Sequence, residues 1–225
     1  MSGTLEQPTP WSGGPLWRGL HNPAENRTDP VIPDFNHSHV LPPFLGDSPT
    51  AAPDVSPYRT SMLEMTQRFA SLPGRRPLIE GLLNYRADLA ALGFVRGFQW
   101  LDGSFAEDVE AHEQRPPNDI DIVTFAFSPA GMSNTEITRL LNAHPTLFQS
   151  ALARENYRCD GYIVNLNGSA ENLVKNTTYY FSLFSHRRDD QVWKGLLQIP
   201  LESDDALARG LLQNMPLGDT NAVTA

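Results

Sequence analysis

The stretch Asp119-Ile120-Asp121-Ile122-Val123-Thr124-Phe125-Ala126-Phe127 constrains the fold of this chain more than any other. β-Branched and aromatic residues dominate it, which predicts a strand over 119–127. Alternation puts Asp119, Asp121 and Val123 on one face and Ile120, Ile122 and Thr124 on the other. The apolar flanking positions make this an interior strand with acids at one end, not a solvated edge. Two unpaired carboxylates about 4 Å apart repel by roughly 4 kcal/mol at an effective dielectric of 20. Folding must relieve that by protonating one, by pairing both with arginine, or by binding a cation. Magnesium takes oxygen ligands and keeps waters for phosphate, which suits such a pair. An Asp-x-Asp tripeptide is common on surface strands and loops, so its neighbours decide the matter.

Proline divides the chain. Eleven of the 19 prolines fall within residues 1–57. Proline fixes φ and removes an amide donor, so this segment can form neither a long helix nor a central strand. Residues 1–35 read as an irregular arm whose Trp11 and Trp17 either hang free or dock on the domain or a protein partner. His39 to Phe44 is expected along the domain surface. The domain is set at 36–216, with a flexible tail at 217–225. Within it, Met62, Met65, Phe69 and Leu72 share a helical face, ended by Pro73-Gly74. A second helix runs through Leu78, Leu82, Tyr85, Leu89 and Leu92, with Pro77 in its first turn and Gly93 at its end. Further helices follow a Ser133–Glu136 capping box, restart at Pro145, span 170–184, and begin at Ser203 as cap. Strands are expected at 95–101, 119–127, 159–166 and 193–201. The fold class is α+β: a small mixed sheet of about four strands flanked by helices.

The formal net charge of −9, from 17 basic and 26 acidic side chains, argues against a protein that coats nucleic acid through a basic face. One cysteine excludes an internal disulfide framework and an all-cysteine zinc site. No apolar run is long enough to span a bilayer, and the N-terminus carries no basic start followed by an apolar core, so no membrane association and a cytoplasmic location are expected.

Two features strengthen the acidic strand. Gly103-Ser104 follows the strand ending at Leu101 and precedes the Asp-x-Asp strand; its glycine allows close backbone approach, and its hydroxyl and amides suit a phosphate. Asp160 lies in the next strand. If the two strands are neighbours, three carboxylates converge. This order resembles the DNA polymerase beta-like nucleotidyltransferase superfamily. It is closest to a poorly characterised, mainly bacterial branch, on Leu41-Pro42-Pro43, Trp100-Leu101-Asp102-Gly103-Ser104-Phe105, Pro117-Asn118-Asp119-Ile120-Asp121 and Lys194-Gly195. The likeness covers about residues 38–202. It implies a nucleotidyltransferase-like fold in which Asp119, Asp121 and Asp160 hold two divalent ions (Mg2+ or Mn2+). Asp160 would also help deprotonate an acceptor hydroxyl, and Gly103 and Ser104 would bind the phosphates of an NTP. An NMP would pass to the acceptor, which is a protein, an RNA end or a small molecule, with release of pyrophosphate.

The loop between Phe105 and Asn118 departs from that pattern. It is long, and acidic before Arg115, with Glu107, Asp108, Glu110 and Glu113, and it reads as a solvated insertion. The positive partners of a triphosphate are then sought at Lys194, Arg115 and Arg187. Cys159 reads as a buried structural thiol. Tyr179, Tyr180, Phe181 and Phe184 read as core packing in preference to a base-stacking surface. The competing functional class is a non-catalytic regulator on this fold, such as an antitoxin-like or defence-system subunit that binds a protein through its arm.

Overall fold

The computed structural model describes residues 32–49 and 55–216. The two tryptophans of the arm and the tail at 217–225 lie outside them. Five strands form one sheet: β1 (Tyr58–Arg59), β2 (Gly97–Asp102), β3 (Ile120–Ala126), β4 (Cys159–Asn165) and β5 (Leu197–Pro200), in the order β1-β5-β2-β3-β4. β2 runs antiparallel to both neighbours, while β1/β5 and β3/β4 are parallel. The α+β class and the mixed sheet agree with the sequence. The additional strand is β1, whose two residues are too short to show alternation.

Helices cover both faces. α1 (Met62–Phe69), α2 (Arg76–Ala91), α6 (Ser150–Tyr157) and α8 (Asp205–Asn214) enclose the larger core around Leu101, Ile120, Ile122, Cys159 and Leu197. α7 (Ala170–Phe184) lies over the other face, where Phe184 packs with Trp100, Val123, Phe125 and Val164. Trp100 meets Phe125 at 4.7 Å between ring centroids, and the Phe181 ring meets Trp100 edge-on. The aromatics of α7 that touch the sheet are therefore packing residues, while Tyr179 faces solvent.

Helix ends follow local chemistry. Ser61 and Glu64 form a capping box on α1, and Ser133 and Glu136 form another on α4 (Asn134–Ala143). Pro77 lies in the first turn of α2, and Gly93 follows the helix at φ +89°. Pro145 opens the short α5 (Pro145–Phe148), and the chain breaks at Gln149 before α6. Ser203 does not cap α8. Its hydroxyl accepts the amide of Met62 at 3.1 Å, and Asp204 accepts that of Leu63 at 2.9 Å, so the pair satisfies orphan donors of α1 from the far end of the chain. Arg86, buried on α2, joins Gln99 of β2, Asp205 of α8 and the carbonyls of Pro200 and Leu201.

Two boundaries move. Ile32, at 3 % exposure, belongs to the main core, and the Phe35 ring tilts against Phe69, so the packed domain begins inside the expected arm. The segment after His39 is not a surface strap: Val40 and Leu41 are wholly buried. Among the described residues, no helix is long and apolar enough to cross a membrane.

A carboxylate row at the mouth of a cleft

The sheet register builds the candidate site. Asp102, the last residue of β2, stands opposite Asp121 of β3, and Asp121 stands opposite Asp160 of β4. Residues directly opposite each other on paired strands leave the same face. Three carboxylates from three adjacent strands therefore form one row, on the face that carries Trp100 and Val123. Asp119 precedes the first residue of β3. A cleft of about 250 Å³ opens there, lined by Asp102, Gly103, Ser104, Asp119, Asp121 and Arg154, with Arg115, Arg188 and Lys194 also on its walls.

The chain turns at the end of β2 through a 3-10 helix, Gly103–Ala106. Gly103 has φ +73°, and a Cβ there would lie 1.8 Å from Oδ2 of Asp121. The absent side chain is thus what lets the Asp121 carboxylate close on the turn. Ser104 lines the same cleft, and its hydroxyl makes no hydrogen bond within the described residues.

The repulsion expected between the acids is relieved in two ways. Arg154, in the last turn of α6, pairs with Asp119 through Nε at 2.6 Å and with Asp160 through Nη2; Ser150 donates to Asp160 as well. Arg158, left-handed at φ 56°, folds the chain from α6 straight into β4, which brings Arg154 back over Asp160. Asp121 takes the other route. Burial, and then the charges of Asp119 and Asp160, push its carboxyl up to about 6, with Lys194 and Arg188 opposing.

Behind the row lies a buried ionic cluster. Lys194, at 3 % exposure, donates to the carbonyl of Gly103 at 3.0 Å and to Glu107 at 2.6 Å, and lies 3.4 Å from Asp102. Burial lowers its ammonium, but Asp102 and Glu107 outweigh burial and hold it above its ordinary value. Asp102 is 1 % exposed and neither of its oxygens has a hydrogen-bond partner. Burial pushes its carboxyl up to about 7, against the pull of Lys194. Gly195 completes the arrangement by giving its amide to the Leu41 carbonyl at 2.7 Å, and a Cβ on it would lie 2.5 Å from the carbonyl of Pro42. Leu41 in turn donates to Ala106. The Leu-Pro-Pro leader, the Asp-Gly-Ser turn and the Lys-Gly pair are therefore one packed unit.

The acidic loop is a solvated insertion only in part: residues 111–114 are exposed, but its earlier acids are drawn into the fold. Glu107 is buried against Lys194, and Glu110 pairs with Arg75, which is wholly buried and also donates to the carbonyls of Phe105 and Glu107. Asp108 accepts the Ala111 amide at the start of a single helical turn, α3 (Val109–His112). The charges of Glu107 and Glu110 are met inside the fold because cations from distant segments reach them, whereas Glu113 pairs with the nearby Arg115.

The other sequence candidates fare unequally. Arg187 lines the cleft, but its guanidinium is held by Asp190 and by the carbonyl of Ser38. Arg115 pairs with Glu113 at 2.7 Å and remains 40 % exposed in its side chain. Cys159 is buried, and burial pushes its thiol up, as befits a structural residue. Arg154, Arg188 and Asp102 were not singled out by sequence reasoning. Asp102 shares the alternation of Trp100, a signal that would have found it. Arg188 is an exposed wall residue whose guanidinium has no hydrogen bond or ion pair among the described residues.

A protein-family model matches residues 33–200. The chain belongs to the DUF6932 family. DUF6932 is described as a family of unknown function, and its matched span contains the leader, the whole sheet and every residue of the acid row. No curated protein and no solved structure matches this DUF6932 chain.

The donor set of the DUF6932 chain suits a hard divalent cation. Asp119, Asp121 and Asp160 offer only carboxylate oxygen, and the glycine turn leaves Asp121 room. The set is not preassembled: among the described residues, no group of three or more candidate ligands is gathered for a metal ion. Arg154 holds two of the acids instead.

Proposed function

We propose that the chain is a metal-dependent nucleotidyltransferase, moving an NMP from an NTP to an acceptor hydroxyl with release of pyrophosphate. The observation that carries this reading is the register of Asp121 with Asp160, with Asp121, Asp119 and the Gly103-Ser104 turn lining one cleft. Asp119, Asp121 and Asp160 would hold magnesium or manganese, which supplies charge neutralisation to the triphosphate and to the departing pyrophosphate. The chain's own groups do the rest. Ser104 and the backbone of its turn bind phosphate oxygens, and Arg115 and Arg188 on the cleft wall add positive charge. Asp160 accepts the proton of the acceptor hydroxyl as its oxygen bonds to the α-phosphorus and the bond to the β-phosphate oxygen breaks. Lys194 does not reach out to the phosphates in this reading. It neutralises Asp102 and Glu107 and fixes the Gly103 carbonyl, so that the turn keeps its shape.

A second reading, a non-catalytic regulator acting by protein binding, is favoured by one observation: Arg154 and Lys194 pair with four of the site's acids. Incubation with each α-labelled NTP and Mg2+ or Mn2+, with and without cell extract, separates the two. Transfer of label to an acceptor, lost in Asp121→Asn, supports the enzyme. Absence of labelling with all four nucleotides and both metals favours the regulator.

A further inference from the structure

The acids that would hold the cation are also the acids that Arg154 holds. Its Nε lies 2.6 Å from Asp119, its Nη2 bonds Asp160, and the side chain is 53 % exposed. The half-exposed arginine can leave without unpacking, but Asp119 and Asp160 keep only 18 % and 9 % of their side-chain surface exposed, so whatever replaces the guanidinium must itself neutralise them. The rest of the row is held differently: Asp102 lies 3.4 Å from the buried Lys194 with no hydrogen bond to either oxygen, and Asp121 faces the glycine turn. The Arg154 pairs thus occupy the β4 side of the row, while Asp121 beside them has no ion-pair partner among the described residues.

We propose that Arg154 is a built-in competitor of the divalent cation, a positioning residue that holds Asp119 and Asp160 until the ion displaces it. This inference rests on the metal-site reading above. One guanidinium bridging Asp119, just before β3, and Asp160 of β4 neutralises both carboxylates in the metal-free protein. It also sets the cation affinity, because every ion bound must break two ion pairs. Once released, the guanidinium remains on α6 at the cleft wall, where a phosphate is its natural next partner.

The test is Mn2+ titration of the full chain, without nucleotide, followed by electron paramagnetic resonance of the free ion. Melting temperatures in EDTA and in Mn2+ are measured alongside. Four proteins are compared: wild type, Arg154→Gln, Arg154→Lys and Asp121→Asn. Arg154→Gln is expected to bind Mn2+ about tenfold more tightly than wild type, because the ion no longer displaces a cation. It should melt lower than wild type in EDTA and gain more from Mn2+. Arg154→Lys, which keeps the charge but not the two-pronged reach, should fall between them and serves if the glutamine variant folds poorly. Asp121→Asn should bind weakly. Equal affinity in wild type and both Arg154 variants, with loss in Asp121→Asn, would overturn the competitor and leave the metal site standing. Absence of Mn2+ binding in all four would overturn both.

Discussion

Replacing Asp121 by asparagine in the metal-free protein isolates the electrostatic cost of the acid row. Asparagine has the shape of aspartate, so the close approach to Gly103 is kept. The Asp121 carboxyl moves from its ordinary 3.8 to about 6 in the folded chain, first through burial and then through Asp119 and Asp160. Between those values the native state keeps a proton that the unfolded chain has lost, so the carboxyl's penalty grows as pH rises through that window and is complete above about pH 6. At about 1.4 kcal/mol per unit of pKa, the ceiling is about 3 kcal/mol. A gain of about 1–3 kcal/mol is expected, because asparagine brings its own amide into a partly buried place. Urea denaturation in EDTA at pH 4 and pH 8 measures it. Asp121→Asn should be more stable than wild type at pH 8 and close to it at pH 4. A variant less stable than wild type at pH 8, or a difference that does not change with pH, would refute the reasoning.

Other perturbations separate structure from site. Lys194→Met strands Asp102 and Glu107 in the interior and is expected to cost about 3–5 kcal/mol of folding stability, read by denaturant melts; a change confined to nucleotide affinity would contradict the buried cluster. Gly103→Ala meets both a left-handed φ and the Asp121 carboxylate, and should lower stability by more than about 1 kcal/mol and weaken Mn2+ binding. Deleting residues 1–30 should leave a cooperatively melting domain, whereas deleting 1–35 removes Ile32 and Phe35 from the core and should lower the melting temperature by several degrees. Equal melting of the two truncations would show that neither side chain matters to the core.

What was legible in the sequence was whatever local periodicity encodes. Alternation placed Asp121 on one face of β3, and the order of strands put Asp160 on the next, but only the pairing register could set the two side by side with Asp102. Glu107 and Glu110 look solvated in the sequence because their cations come from afar: Arg75 is 35 residues from Glu110, and Lys194 is 87 from Glu107. Composition sees the charges and not their partners. Val40 and Leu41 form a single buried crossing with no period, so nothing in the pattern marked them as core. Arg154 stands six residues before Asp160 on a helix that reverses into the strand, a relation made by one left-handed residue. Lys194 was expected as a phosphate ligand, but it lies buried at the acid end of the sheet as the counter-ion of Asp102 and Glu107.

The central claim is that the acid row is a cation-dependent nucleotide site, and a crystal grown with Mn2+ and a non-hydrolysable NTP tests it most directly. The expected result is an anomalous peak within about 2.5 Å of carboxylate oxygens of Asp119 and Asp121, with triphosphate oxygens beside the Gly103-Ser104 turn and Arg154 drawn away from Asp119. A cleft without the peak, or nucleotide bound elsewhere while Arg154 still bridges Asp119 and Asp160, would contradict it.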